Sequence, residues 1–393
     1  MTSGRLAIQC AILVLVCSAA APARAQTLDD VLTFLVTNQS VQTGSIARDQ
    51  AAAKAASEAI SRALLTNLAT LPVPSTSGAF VYRLNPELGT VERKTQTFAP
   101  FFLERALTAG RGQASVGLAF QHVHFTSLDG RNLSDGSLIT TANQFTDESA
   151  PFDVDHLTLG IDADVATLYG TIGVTNSLEV GVAAPMMSLR IDGSRVNTYR
   201  GQTFTQATAS GHAIGLADLL VRAKYTLFSE DAAAVAAAVD IRLPTGREED
   251  LLGAGSTSYR FSTIGSLEGR LASAHANVGL SLGGLATELS YGAAIALAAA
   301  PSVSVVGEVL GRWIDSSGHL VSITAPHPLL TGVNTIRLTG DTSSLQIVTV
   351  VPGIKWNVAD TWVLSASVAV PLTTSGLNAR FTPFIGLDYA VGK

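Results

Sequence analysis

Apolar side chains recur at every second position through most of the sequence after residue 111. The last segment, FTPFIGLDYAVGK, places Phe381, Ile385, Leu387, Tyr389 and Val391 on one side of an extended chain. Thr382, Gly386 and Asp388 fall on the other side. A period of two belongs to a β-strand, because successive side chains of a strand point to opposite faces. The pattern therefore predicts an all-β architecture, and the question is what the apolar face contacts.

Twelve segments with this pattern follow one another to the C-terminus. They span 111–127, 154–173, 178–191, 215–228, 233–243, 258–272, 275–283, 286–298, 302–314, 343–357, 360–371 and 379–392.

The connections between these segments alternate between long and short. The first is DGRNLSDGSLITTANQFTDESAP and the second is TNS, and only the pair around GLA is weakly contrasted. An up-and-down barrel of the bacterial outer membrane has this alternation, because its periplasmic turns are short and its outer loops are long. We therefore predict an antiparallel transmembrane β-barrel of about 12 strands over 105–393. The hairpin-like stretch FVYRLNPELGTVERK would raise the number to 14 if it joined the wall.

Strand parity then separates a lipid face from a lumen face, since a membrane barrel turns apolar side chains outward and polar ones inward. In SVSVVGEVLGRW, Val305 and Trp313 oppose Glu308 and Arg312; in TWVLSASVAV, Trp362 and Leu364 oppose Ser365 and Ser367. In HLTLGIDADV, Leu157, Leu159, Ile161 and Ala163 are predicted to face lipid. Trp313, Trp356, Trp362, Tyr225 and Tyr389 are predicted to lie at the membrane interfaces.

Sixteen ionisable residues are assigned to the lumen by this argument. They are Asp162, Asp164, Glu179, Asp218, Arg222, Lys224, Asp240, Arg242, Arg260, Glu268, Arg270, Glu288, Glu308, Arg312, Arg380 and Asp388. With seven positive and nine negative members, this lining predicts no strong ion preference.

The first 25 residues have the organisation of a secretory signal peptide. Arg5 gives a charged start, an apolar run follows, and APARAQ offers a cleavage site after Ala25. A lipoprotein anchor at Cys17 is disfavoured, because Val16 stands where a small residue is required. Cys10 and Cys17 are the only cysteines, so the exported chain is expected to have no disulfide and no thiol chemistry.

Residues 26–104 differ in pattern from the rest of the chain. Thr27 with Asp30 three residues later is typical of a helix start, and the alanine-rich stretch before Pro72 has helical spacing. We predict one or two amphipathic helices followed by a hairpin. They form either a periplasmic extension, which is the favoured interpretation, or a plug inside the barrel.

Candidate chemical sites are few. His122 and His124 share a strand face, but no third metal ligand lies close in sequence, so a position near the barrel rim is favoured. The acidic run Glu248 to Asp250 could bind cations that bridge lipopolysaccharide, although a solvated loop tip is favoured. We find no phosphate loop and no G-x-S-x-G nucleophile elbow. The string GLSLG at 279–283 lies within a predicted strand and lacks the strand-to-helix turn of that motif. No catalytic residue, metal or cofactor is predicted.

Several sequence segments resemble those of a known group of proteins. GVTNSLEVGVAAPM, GLADLLVRAKYTLF, AAAVDIRLPTGREEDLLG and ERALTAGRGQASVGLAFQ resemble outer-membrane β-barrel proteins described as transporters and associated with phenol meta-cleavage pathways. The similarity covers about residues 100–393. It implies passage of small solutes, hydrophobic compounds among them, through the outer membrane.

The resulting expectation is a non-enzymatic outer-membrane channel or transporter. A structural or surface-binding barrel is the second interpretation, and a barrel-embedded hydrolase is the third. Expected partners are outer-membrane lipid and lipopolysaccharide, a small-molecule solute, and the outer-membrane assembly machinery, whose C-terminal signal the Gly386, Tyr389, Val391 pattern resembles. Without Arg5 and Arg24 the chain has 23 basic and 31 acidic residues, a formal charge of −8, so nucleic acid is not expected.

Overall fold

The computed structural model describes residues 26–37, 57–58, 60–68, 71–76, 82–85, 90–93, 97–230, 232–315, 318–359 and 361–391. The predicted signal peptide lies outside these described residues. Within them, no helix is both long and apolar enough to cross a membrane.

Twenty strands are defined. They are β1 (Tyr82–Asn85), β2 (Thr90–Arg93), β3 (Ala114–Leu128), β4 (Arg131–Asn132), β5 (Leu138–Phe145), β6 (Asp153–Gly173), β7 (Leu178–Tyr199), β8 (Gln202–Leu216), β9 (Leu219–Ser229), β10 (Ala233–Leu243), β11 (Ser258–Glu268), β12 (Ala272–Gly283), β13 (Glu288–Ala300), β14 (Val303–Ile314), β15 (Leu320–Pro326), β16 (Val333–Gly340), β17 (Leu345–Ala359), β18 (Trp362–Pro371), β19 (Leu377–Ala379) and β20 (Thr382–Val391).

Twelve of these strands close into one antiparallel barrel. The wall runs β3, β6, β7, β9, β10, β11, β12, β13, β14, β17, β18 and β20, and β20 pairs with β3 to complete the ring. Each corresponds to one of the twelve predicted segments, so the predicted all-β barrel is confirmed. The stretch proposed to raise the number to fourteen forms a separate two-stranded sheet, β1 with β2, and is not part of the wall.

Six further strands, β4, β5, β8, β15, β16 and β19, extend the barrel at the end that carries the long connections, which we call the long-loop end; the opposite end is the short-turn end. β15, β16 and β5 pair in that order and continue into β6, β7 and β8. Asp129 holds this end together, because its carboxylate accepts hydrogen bonds from the Leu320 and Gly376 amides and from His319.

The outer surface near the short-turn end is an apolar band. On β20, Ile385, Leu387, Tyr389 and Val391 are exposed, whereas the alternating residues Phe384, Asp388 and Ala390 are buried inside. The five aromatic residues predicted at the interfaces are also exposed on the outer face, and Trp362 contacts Tyr389 with ring centroids 4.6 Å apart. The apolar side of the last strand therefore faces outward, as predicted.

The two faces of β3, β6 and β7 exchange character about halfway along the barrel. On β6 the outward residues are Leu168 and Ile172 towards the short-turn end but Asp162 and Asp164 above them. The inward residues change from Thr171 and Tyr169 to buried leucine, isoleucine and alanine. We call the height at which this happens the exchange level; β3 passes it between Gln121 and His124, and β7 between Met186 and Arg190.

The inward position predicted for Asp162 and Asp164 is therefore wrong. Their side chains point outward, where the His124 and His122 rings bond them at 2.6 and 2.8 Å. The alternation of side chains between the two faces was predicted correctly, but the apolar face was assumed to contact lipid. Above the exchange level the apolar face instead packs against helices inside the barrel.

Those helices come from the N-terminal segment. Helix α1 (Leu28–Val36) begins at Thr27, whose hydroxyl accepts from the Asp30 amide while Asp30 accepts from the Thr27 amide. This capping box is the one predicted. A second helix, α2 (60–68), ends before Pro72, and Ser61 donates to Asp29 of α1 at 2.8 Å.

Candidate functional site

The candidate site is the barrel lumen, which the N-terminal segment occupies along much of its length. At the long-loop end, buried residues of α1 and α2 form one hydrophobic cluster with inward residues of β3, β6, β7 and β8. Arg195 of β7 donates to the Leu35 and Thr37 carbonyls and so caps the C-terminus of α1. Both helices are thus held by the inner wall.

A second part of the segment, residues 97–110, follows the lumen towards the short-turn end. The Glu308 carboxylate accepts hydrogen bonds from three successive backbone amides, those of Phe101, Phe102 and Leu103. Farther along, the Ala106 amide donates to Ser266 at 2.9 Å and the Ala109 amide donates to Glu179 at 2.7 Å. Backbone groups that lack a strand partner are satisfied in this way by polar side chains of the wall.

Buried ion pairs fix the same segment laterally. Arg105, fully buried, lies 3.0 Å from Glu268. Glu104 contacts Arg222 and lies 3.5 Å from Lys224, which also bonds Glu179 at 2.9 Å. Because isolated buried charges are costly, removal of one partner would leave the other uncompensated.

Twelve of the sixteen residues assigned to the lumen are on the inner side of the described barrel. They are Glu179, Asp218, Arg222, Lys224, Asp240, Arg242, Arg260, Glu268, Glu288, Glu308, Arg312 and Asp388. Asp218 lies at the long-loop end. Its carboxylate accepts hydrogen bonds from the Gly246 and Ala254 amides and so anchors the loop between β10 and β11.

The other four lie elsewhere. Asp162 and Asp164 face outward, as described above. Arg270 is exposed in the short turn between β11 and β12, and Arg380 is exposed between β19 and β20. These two lie beyond strand ends, where parity no longer specifies a face.

Several lumen residues were missed by the sequence argument. Glu104 and Arg105 lie in the N-terminal segment, and no periodic signal predicted that this segment would enter the barrel. Lys355 is different: it stands between the outward Ile354 and Trp356, so its parity already indicated the lumen. Its amino group donates to the Pro100 carbonyl at 3.0 Å.

A cavity of about 250 Å³ remains between the segment and the wall. A charged row borders one side: Arg222 bonds Asp240 at 2.6 Å, and Glu288 lies between Arg260 at 3.3 Å and Arg312 at 2.6 Å. Phe102, Leu103 and Phe384 border the same space, as does Leu310, which lies two residues from Arg312 on β14. The remaining space is therefore amphipathic, lined by both charged and apolar side chains.

The other candidate sites lie outside the lumen. His122 and His124 pair with the two outward aspartates just above the apolar band, about halfway along the barrel and not at its rim as predicted. Ser188 and His212 are in contact on the same outer face, with Oγ 2.9 Å from Nε2. The acidic run forms a short 3-10 helix (Glu248–Asp250), and Asp250 forms a salt bridge of 2.7 Å with Arg247, the residue before this helix. No group of three or more metal-ligand side chains is present among the described residues.

No protein-family model matches the chain, and no curated protein matches it. Among solved structures, the crystal structure of the COG4313 outer membrane channel from Pseudomonas putida F1 matches with a TM-score of 0.50 and 13% identity, covering 74% of this chain and 99% of that one. The KdgM porin (TM-score 0.36, 9% identity, 61% and 99% coverage) and the NanC porin (0.36, 6%, 69% and 98%) also match.

The closed twelve-stranded wall, its outward apolar band and the likeness to the Pseudomonas structure together define the class of fold: a β-barrel of the outer-membrane type. At 13% identity that likeness concerns the fold alone. The resemblance to the barrels of phenol meta-cleavage pathways stays a prediction.

Proposed function

We propose that this protein is a non-enzymatic outer-membrane channel for small solutes and that its N-terminal segment acts as a plug. The observation that carries the proposal is the amphipathic cavity enclosed between that segment and the barrel wall. A structural barrel has no need of a cavity lined by both charged and apolar side chains. The plug fills the lumen apart from this cavity, and its displacement opens a path along the lumen.

A reducible tether tests the plug directly. Thr76 belongs to the N-terminal segment and Gly181 to β7, and a Cβ at Gly181 would lie 3.0 Å from the Thr76 Cβ. This is slightly shorter than the roughly 3.5–4.5 Å of a disulfide, so a small adjustment permits the bond. The mature chain is expected to have no cysteine of its own, so Thr76→Cys with Gly181→Cys would form a single cross-link.

We expect the oxidised double variant, refolded in planar lipid bilayers, to open rarely. After reduction its conductance steps should appear at least ten times more often, because the segment can then leave the wall. Thr33→Cys with Ser57→Cys is the matched control: these hydroxyls lie 2.8 Å apart within the segment, so that cross-link leaves the segment untethered.

Equal conductance of the tethered variant before and after reduction would contradict a plug that moves. If the folded variant shows no conductance steps either before or after reduction, the result would argue for the second interpretation, a structural or surface-binding barrel. Solute identity, lipopolysaccharide contact and recognition by the assembly machinery remain predictions for separate experiments.

A further inference from the structure

The lumen cavity has more positive than negative groups on its wall. Four arginines border it, Arg222, Arg242, Arg260 and Arg312, against three carboxylates, those of Glu104, Asp240 and Glu288. Arg222 is engaged by both Glu104 and Asp240, whereas Glu288 is shared by Arg260 and Arg312. The surplus charge therefore lies on the β11 to β14 side of the cavity.

Arg260 is the arginine best placed to meet a solute. Its Nε donates to Ser281 at 3.0 Å and one terminal nitrogen donates to Glu288 at 3.3 Å. These bonds use two of the five N–H donors of a guanidinium. About a third of the side chain (34%) is exposed, more than for Arg222 or Arg312, and it borders the cavity. Three donors of the guanidinium are therefore left for a solute in this cavity.

The cavity also has an apolar and partly aromatic lining. Phe102 of the plug and Phe384 of β20 contact edge to face with ring centroids 5.1 Å apart, and Leu103 and Leu310 border the same space. A cavity of about 150 Å³ with such a lining can hold benzene. The volume of about 250 Å³ therefore accepts an aromatic ring together with a small charged group.

We propose that this cavity binds small organic carboxylates that carry an apolar body, with the carboxylate on Arg260 and the hydrocarbon against Phe102, Leu310 and Phe384. The proposal rests on the channel function and names its substrate class. A carboxylate matches the guanidinium fork through two parallel hydrogen bonds. A neutral hydrocarbon would offer no acceptor to the remaining donors of Arg260, and a cation would be repelled by the surplus positive charge.

Isothermal titration calorimetry of the full-length mature protein in detergent micelles tests the proposal with two probes of nearly equal shape, benzoate and neutral benzamide. We expect benzoate to bind at least ten times more tightly than benzamide. Arg260→Gln should weaken benzoate binding at least tenfold and leave benzamide binding unchanged. Arg337→Gln on β16, outside the cavity, is the matched control and should bind benzoate as the parent protein does.

Equal binding of the two probes to the parent protein would overturn the proposal, as would undiminished benzoate binding by folded Arg260→Gln. The comparison of probes on the parent protein decides the question even if that variant fails to fold. Conductance in potassium chloride alone reports the channel separately. Conductance steps in a protein that binds benzoate no better than benzamide would refute this inference and leave the channel function intact. Preferential benzoate binding by a barrel that shows no conductance would support the binding site and contradict the channel function.

Discussion

At the scale of single residues, Glu308 is the clearest link between barrel and plug. One wall carboxylate satisfies three consecutive amides of the N-terminal segment, at a turn where the chain has no strand partner. Lys355 on the neighbouring strand β17 holds the carbonyl just before them. Two wall side chains thus hold the donors and the acceptor of one short stretch, which fixes its position along the lumen.

Glu308→Gln should loosen this stretch. The amide keeps one acceptor oxygen but loses the charge, so the free energy of unfolding should fall by about 1.5–3 kcal/mol, the range for hydrogen bonds to charged groups. Trypsin cleavage after the buried Arg105, followed by mass spectrometry, should become at least ten times faster.

Glu249→Gln in the outer loop is the control for the change in charge and should leave this rate unaltered. Unchanged cleavage in Glu308→Gln would show that Glu308 does not hold the segment in place.

At the scale of secondary structure, helix α1 packs on strands that present glycine to it. A Cβ at Gly211 of β8 would lie 2.7 Å from the Leu28 Cδ2 and 2.9 Å from the Val31 Cγ2. A Cβ at Gly193 of β7 would lie 2.9 Å from Leu35. The missing side chains let the helix lie directly on the inner wall, which is the reason it fits beneath the long loops.

Gly211→Val should displace α1 without breaking the barrel. Overpacking of this kind costs about 1–3 kcal/mol. Hydrogen exchange of the α1 amides should therefore accelerate about tenfold or more, while amides of β10 to β12 keep their protection.

Gly307→Val on β14 is the matched control, because a Cβ there meets no atom within 4 Å. Protection of α1 equal to that of the parent protein in Gly211→Val would indicate that the helix is not held by this contact.

At the scale of the whole molecule, the exchange level divides the barrel into two environments. On the short-turn side it has an apolar exterior and a polar interior, the arrangement of a protein in lipid. On the long-loop side, β3, β6 and β7 have a polar exterior and an apolar interior, the arrangement of a protein in water. The hydrophobic cluster around α1 and α2 lies on this second side.

A pair of arginine substitutions on one face of β6 tests this division. Leu168→Arg places a charge in the apolar band and should destabilise the barrel in lipid vesicles by about 2–4 kcal/mol. Thr158→Arg is on the same face of the same strand but above the exchange level, so its cost should be about 0–1 kcal/mol. Urea unfolding in vesicles measures both, and equal costs would show that the membrane does not end at the exchange level.

The exchange could have been seen in the sequence at particular strands. On β6, Leu168 and Ile172 share a face with Asp162 and Asp164, so no single assignment makes one face apolar throughout. His122 and His124 follow the outward Leu118 and Phe120 on β3 in the same way. Both patterns predict that the strands continue beyond the membrane, although neither says what fills the interior there.

The sequence by itself determined the twelve wall strands, their alternating connections and the start of α1. These follow from local periodicity, turn chemistry and capping, which act over a few neighbouring residues. The entry of the N-terminal segment into the lumen was decided by the tertiary structure alone. Most of its ion pairs and amide contacts with the wall join residues more than a hundred positions apart, such as Arg105 with Glu268 and Phe102 with Glu308. No local pattern in a sequence specifies such partners, because each side chain is compatible with many until the barrel closes.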